Sequence, residues 1–124
     1  RVHAMIDLCP MVMHRGRARA GRCQRVRALI DTGADRTVID PSIARGFVRG
    51  RSEMVDTGAG ELRAPVTFAQ VRIDGCGARQ LEAWIAPTMG PARVLIGHDY
   101  LQLEDASVDL KSRRVVCRRR HHAG

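Results

Sequence analysis

Aromatic side chains are nearly missing from this chain: Phe47, Phe68, Trp84 and Tyr100 make up 3 % of its residues. Val, Ile, Leu, Met and Ala must therefore fill the core. Proteins that read single strands or RNA by stacking bases on aromatic rings are a poor match. No apolar run approaches the roughly eighteen residues needed to cross a bilayer, and no signal peptide is evident. The compartment is left open; because the chain begins at Arg1 and not at Met, a domain excised from a longer or membrane-anchored protein is one expectation. The four cysteines, Cys9, Cys23, Cys76 and Cys117, form no CxxC and are not clustered with His, so neither a metal nor any other cofactor is expected. Reduced, partly buried thiols are the expectation, with two disulfides the alternative for an exported protein.

What is present fits one ordinary globular domain: 124 residues, 44 % of them apolar. The formal charge of +8 comes from twenty Arg and one Lys against thirteen acids. Such a charge attracts nucleic acid or anionic lipid. Yet the Arg residues are spread out except in "RGRARAGR" at 15–22 and "RRR" at 118–120. With few stacking groups available, nucleic acid is not the expected partner.

Period-two patterning dominates. "CQRVRALID" sets Val26, Ala28 and Ile30 on one side and Arg25, Arg27 and Leu29 on the other, which predicts a strand. Residues 1–14 read as an extended apolar segment interrupted by Pro10, followed by a basic loop or hairpin tip. "RTVID" is a short strand ended by Pro41, and "PSIARGFVRGRS" an irregular connection. "MVDTGAGELRAPV" has the look of a Gly-tipped hairpin. "VTFAQVRIDGCG" and "ARQLEAWIAP" are β-rich runs turning at Asp74-Gly75, and "ARVLIG" is a short apolar strand. "HDYLQLED" is the one convincing helical segment, and "SVDLKSRRVVC" closes as a pair of strands. Short strands at roughly ten-residue spacing, with one late helix, predict an all-β, barrel-like domain.

Asp-Thr-Gly-Ala occurs twice, at 31–34 and at 56–59. Hydrolysis of a peptide bond needs one group to take a proton from water and another to protonate the amide. Two close carboxylates sharing one proton do both, because like charges about 3 Å apart cannot both ionise. Each must be held rigidly at a strand end, with a neighbouring hydroxyl to anchor it and a glycine to admit the substrate backbone. "LIDTGA" meets these requirements.

Here the sequence resembles the retropepsin-like, single-domain aspartic proteases. "ALIDTGADRTVID" (28–40) matches the family's catalytic segment, and "RVLIGHDYL" (93–101) its paired-hydrophobic-Gly element and short helix; Asp31 and Gly97 lie 66 residues apart. The resemblance covers roughly residues 24–110. It implies an all-β, closed retropepsin-like barrel with a flap hairpin and one short C-terminal helix, working as a homodimer. The expected organisation is an N-terminal extended segment and basic loop (1–23), a protease domain (24–117) and a basic tail (118–124) expected to be disordered. The implied activity is that of an aspartic endopeptidase, with a polypeptide substrate and an Asp dyad formed across the dimer.

In this resemblance Asp31, Thr32 and Gly33 are catalytic. Asp31 activates water, Thr32 bonds across the dimer, and Gly33 leaves room for the peptide. The copy at 56–59 falls in the flap, followed by "GELRAP" and not by a second strand-and-glycine element. Ala34, Asp35, Val55, Asp56, Thr57, Gly58, Arg93 and Leu95 are expected to touch substrate. Arg93 is either a solvated charge or a group favouring acidic side chains in the peptide. Many pepsin-type sites carry Ser where Ala34 stands; lacking that donor to the carboxylate, this chain is expected to work best at mildly acidic pH. Viral members pair an Arg after the glycine with the acid after Asp-Thr-Gly-Ala. Here His98 and Asp35 occupy those places, and either a pair or a solvated His is expected. The competing reading is a catalytically silent retropepsin-like dimerisation module that binds peptide or nucleic acid.

Overall fold

A computed structural model describes residues 1–57 and 60–118. Ten strands, one helix and one 3-10 turn follow in order: β1 (His3–His14), β2 (Arg17–Ala20), β3 (Gln24–Ile30), β4 (Val38–Ile39), the 3-10 turn (Pro41–Ile43), β5 (Ser52–Thr57), β6 (Gly60–Ile73), β7 (Ala78–Ile85), β8 (Val94–Ile96), α1 (His98–Leu103), β9 (Ala106–Asp109) and β10 (Arg114–Cys117). The all-β expectation with one short helix is met.

Six of the strands close on themselves. β1 pairs antiparallel with β3, β3 runs parallel to β8, and β8 is antiparallel to β4. β4 runs parallel to β7, β7 is antiparallel to β6, and β6 returns to β1, with Ile6 opposite Ile73 and Pro10 opposite Ala69. Closure removes the free edges an open sheet would expose. The alternation read in β3 is present: Ala28 and Ile30 are buried while Arg25 and Arg27 are exposed. Ile6, Leu8, Ala28, Ile39, Val71, Ile73, Val94 and Ile96 fill the interior. β-branched residues lie flat against a pleated surface, so this barrel packs with a single aromatic at full burial. That aromatic is Tyr100, whose hydroxyl donates to Gly77 O (2.8 Å) and accepts from Ile73 N (3.1 Å).

The structure departs from the sequence expectations at several points. Pro10 does not interrupt β1. Its carbonyl accepts from Gly21 N (2.7 Å) and its missing N–H leaves no broken bond in the ladder. The run after it continues with β2 as a two-stranded ribbon, turning at Arg15-Gly16, both at positive φ. β6 is one strand of 14 residues where two separate runs were expected. All four cysteines are bonded, as Cys9–Cys23 and Cys76–Cys117, which overturns the expectation of reduced thiols. Spacing gave no clue because the partners lie 14 and 41 residues apart in sequence. The basic tail expected to be disordered lies, beyond Arg118, outside the described residues. No helix among the described residues is long and apolar enough to cross a membrane.

Candidate active site

β3 and β8 deliver Asp31. Their parallel pairing sets Leu29 beside Leu95 and Ile30 beside Ile96, and the Asp31 N–H continues it by donating to Ile96 O (2.9 Å). Beyond this the chain turns sharply. Ala34 N donates to Asp31 O (3.1 Å), and Gly33 N donates to the Asp31 carboxylate (3.1 Å). The carboxylate thus stands at the end of a buried strand, half-buried itself, with a backbone donor fixing one oxygen.

The loop 32–37 is gripped from below by the segment 97–99. Gly97 packs against it so closely that an added Cβ would lie 2.6 Å from Arg36 C, 2.8 Å from Arg36 O and 2.9 Å from Ala34 O. All three are backbone atoms, so no side chain can yield, and only glycine fits. His98 N donates to Ala34 O (2.7 Å) and Asp99 N to Asp35 O (3.2 Å). The Asp99 carboxylate accepts from Thr37 N (3.0 Å) and Thr37 Oγ1 (2.9 Å), while Thr37 Oγ1 accepts from Gly97 N (3.3 Å). Thr37 is fully buried, which shields its end of the network from water. Asp99 therefore holds the loop from α1. No His98–Asp35 ion pair is found among the described residues; the His98 side chain is exposed, and its backbone makes the contact.

Above Asp31 lies a cavity of about 400 Å³. Its floor is the loop (Asp31, Gly33, Ala34, Asp35, Arg36) with Leu95 of β8. Its roof is the β5 end of a hairpin, through Met54, Val55, Asp56 and Thr57. Trp84, Pro87, Thr88 and Met89 form a side wall. Of the expected site residues, Asp31, Gly33, Ala34, Asp35, Val55, Asp56, Thr57 and Leu95 are brought together here. Thr32 is exposed, does not line the cavity, and makes no side-chain hydrogen bond among the described residues. Gly58 lies outside the described residues. Arg93 is not at the cavity: its Nη1 sits 3.6 Å from Asp40 Oδ2, so the notion that it selects acidic side chains loses its geometric basis.

Sequence reasoning missed two supports of this cavity. The first joins floor to roof. Arg36 Nη1 donates to Glu53 Oε1 (2.9 Å), its guanidinium carbon lies 4.9 Å from the centre of the Trp84 ring, and Trp84 Nε1 donates to the same Glu53 oxygen (2.8 Å). Arg51 adds contacts to Glu53 (3.3 Å) and Glu82 (3.0 Å). The Trp84 indole N–H lowers the pKa of the Glu53 carboxyl; partial burial opposes this, and the Arg36 and Arg51 charges reinforce it. The second support is Asp40, which is buried. Its carboxylate accepts from Ser42 N (2.9 Å), Thr88 N (3.1 Å) and Thr88 Oγ1 (3.1 Å), anchoring the side wall. Period-two alternation does mark Trp84 as facing across from Leu81 and Ala83, but nothing local in the sequence points to Glu53 as its partner.

One grouping elsewhere has metal-ligand composition: the Cys76 and Cys117 sulfurs and a Glu104 oxygen lie within 4.8 Å of one another. The sulfurs are committed to their disulfide, and Glu104 already accepts from Gly77 N (2.5 Å) and Arg79 Nε (2.6 Å).

Residues 21–103 match the family model described as gag-polyprotein putative aspartyl protease. The match runs from just before Cys23 to the end of α1, and so includes both Asp31 and Gly97. No curated protein matches the chain.

Proposed function

The chain belongs to this gag-polyprotein aspartyl protease family, and on that premise we propose that it is an aspartic endopeptidase whose catalytic dyad is completed by a second copy of itself. The observation that carries the reading is Asp31, fixed at a strand end by Gly33 N (3.1 Å) on the floor of a cavity of about 400 Å³ roofed by a hairpin. Each chain brings one Asp-Thr-Gly-Ala with strand support on both sides, whereas shared-proton chemistry needs two such carboxylates. A two-fold dimer supplies the second from the same patch of the partner. Exposed Thr32, whose side chain makes no hydrogen bond among the described residues, is then the group that reaches across.

In the dimer one Asp31 is ionised and the other protonated, and a water lies between them. The ionised carboxylate takes a proton from the water as its oxygen adds to the scissile carbonyl carbon, and the protonated one donates to the carbonyl oxygen, giving a neutral diol. The now protonated carboxyl then donates to the amide nitrogen while the ionised one takes a proton from a diol hydroxyl; the C–N bond breaks to give acid and amine, and the dyad again holds one proton. Gly33 admits the extended peptide. The hairpin β5–β6 acts as a flap, with Val55, Asp56 and Thr57 closing over the substrate and main-chain bonds forming as for an added strand.

The test joins mass in solution with cleavage. The protein should sediment as a dimer, bind a statine-type transition-state mimic and cleave members of a peptide library. Asp31→Asn should abolish turnover and Asp56→Asn should retain most of it. A monomer that cleaves, or a dimer that ignores the inhibitor, refutes the reading; the latter favours the catalytically silent module.

A further inference from the structure

The ribbon formed by the end of β1 and by β2 has no role in the chemistry above, and its composition is one-sided. From Leu8 to Ile30 there are six Arg and no acid. Arg25 is neutralised by Asp7 and Asp74. Arg15, Arg17, Arg19 and Arg22 are exposed and have no ion-pair partner among the described residues. We propose that this arm binds the phosphate backbone of double-stranded nucleic acid.

Pairing register sorts the side chains of the ribbon. Residues directly opposite share a face, so Arg17 with His14 and Arg19 with Val12 form one face, while Met11 with Ala20 and Met13 with Ala18 form the other. Met11, Met13 and Ala18 border an apolar groove against Val48, Val66 and Phe68. On the opposite face Val12 also reaches that groove, while Arg17 and Arg19 are exposed, joined by Arg15 at the turn and Arg22 at the base.

The arm is also pre-shaped. A two-stranded ribbon alone is marginal in water. Here the β1–β3 ladder ends at Leu8 opposite Gln24, the Cys9–Cys23 disulfide follows at once, and Gly21 N donates to Pro10 O (2.7 Å) before the ribbon pairs begin. The covalent clamp at the base means that little ordering remains to be done on binding.

The partner follows from what this face lacks. It carries no Phe, Tyr or Trp, the anchors that a protein interface concentrates at its centre and the rings on which a single strand stacks its bases; its one ring is the imidazole of His14. The ribbon's one exposed methionine, Met13, is on the other side, so apolar insertion into a bilayer does not accompany contact by Arg17 and Arg19. Arg donors aimed at phosphate oxygens need none of these. The scarcity of aromatics, which argued against nucleic acid from sequence, excludes base stacking and leaves backbone contact to a duplex untouched.

The probe is a fluorescein-labelled duplex of about 20 base pairs and arbitrary sequence, followed by anisotropy between about 50 and about 200 mM salt, where four phosphate contacts predict a log–log slope of about −3 to −4 and a loss of affinity on the order of a hundredfold. Arg17→Ala with Arg19→Ala should flatten the slope by about 2 and weaken binding more than about tenfold. Both residues are exposed, so the variant should melt as the parent does. The control, Lys111→Ala with Arg114→Ala, removes the same charge from the C-terminal hairpin and should leave binding near the parent value. The proposal fails if the duplex does not bind, if the control pair loses as much as the arm pair, or if phosphatidylserine vesicles bind at least as tightly as the duplex.

Discussion

Asp40 offers the most quantitative prediction, because it is buried, hydrogen-bonded and coupled to the wall of the cavity. Burial raises its pKa, since a carboxylate loses hydration there. The backbone and hydroxyl donors of Ser42 and Thr88 outweigh this and bring the group from 3.8 down to about 2. The folded state therefore holds the ionised form more strongly than the unfolded chain does. Between those two values the unfolded chain binds the proton and the folded chain does not. The stabilisation is complete above pH 3.8 and is lost as the pH falls through about 2. At 1.36 kcal/mol per unit of pKa, the stabilisation at neutral pH is about 2 kcal/mol, whose loss from a domain of this size lowers the melting temperature by about 6–10 °C. Asp40→Asn keeps the shape and removes the charge. Urea unfolding across pH 2–7 should show the variant less stable by about 2 kcal/mol at neutral pH, with the gap to the parent closing toward pH 2. The difference between the two proteins isolates Asp40 from the other acids that titrate in that range. A constant gap down to pH 2, or no gap at pH 7, would refute the reasoning.

Three further outcomes are expected. Gly97→Ala forces a methyl into backbone atoms 2.6–2.9 Å away and should cost about 3 kcal/mol in urea unfolding while abolishing inhibitor binding, since the displaced loop carries Asp31. Replacing Cys76 and Cys117 by Ser opens a bridge spanning 41 residues, and loop-closure entropy puts the loss at about 4 kcal/mol, against about 3 for the bridge spanning 14 residues between Cys9 and Cys23; chemical denaturation of the two double variants ranks them. Glu53→Gln keeps the acceptor for Trp84 but loses the ion pairs with Arg36 and Arg51, so amide exchange in the β5–β6 hairpin should quicken at neutral pH. Because the parent carboxyl is charged above its lowered pKa and neutral below it, that difference should fade as the solution is made acid.

The sequence carried the centre of the candidate site and lost its surroundings. Asp31, the strand before it and Gly97 were legible because each rests on local pattern: an alternating run, a turn-forming tetrapeptide, an apolar pair ending in glycine. Asp35, Val55, Asp56, Thr57 and Leu95 followed from the resemblance to the retropepsin-like proteases, and the cavity gathers them. Arg93 did not follow, since its position depends on Asp40, which binds it 3.6 Å away on another segment. The Arg36–Glu53–Trp84 contact joins residues 17 and 31 positions apart, and the disulfides join Cys9 of β1 to Cys23, just before β3, and Cys76, in the turn between β6 and β7, to Cys117 of β10. Contacts of this kind are products of barrel closure and leave no periodic trace. Pro10 misled for the opposite reason. A local rule against proline in strands was overridden where β1 had no need of that N–H.

The unbroken course of β6 has a mechanical meaning. Over 14 residues the same strand begins as one leg of the hairpin above Asp31 and ends as barrel wall packed on Ile6. Such a leg behaves as a cantilever rooted in the core. In the proposed reading, lifting its free end to admit a peptide would be resisted by bending of the beam itself and by the salt-bridged strut at Glu53. The stiffness of entry is thus set well inside the barrel, and a substitution at the root should alter how fast substrate gets in without touching anything that substrate meets.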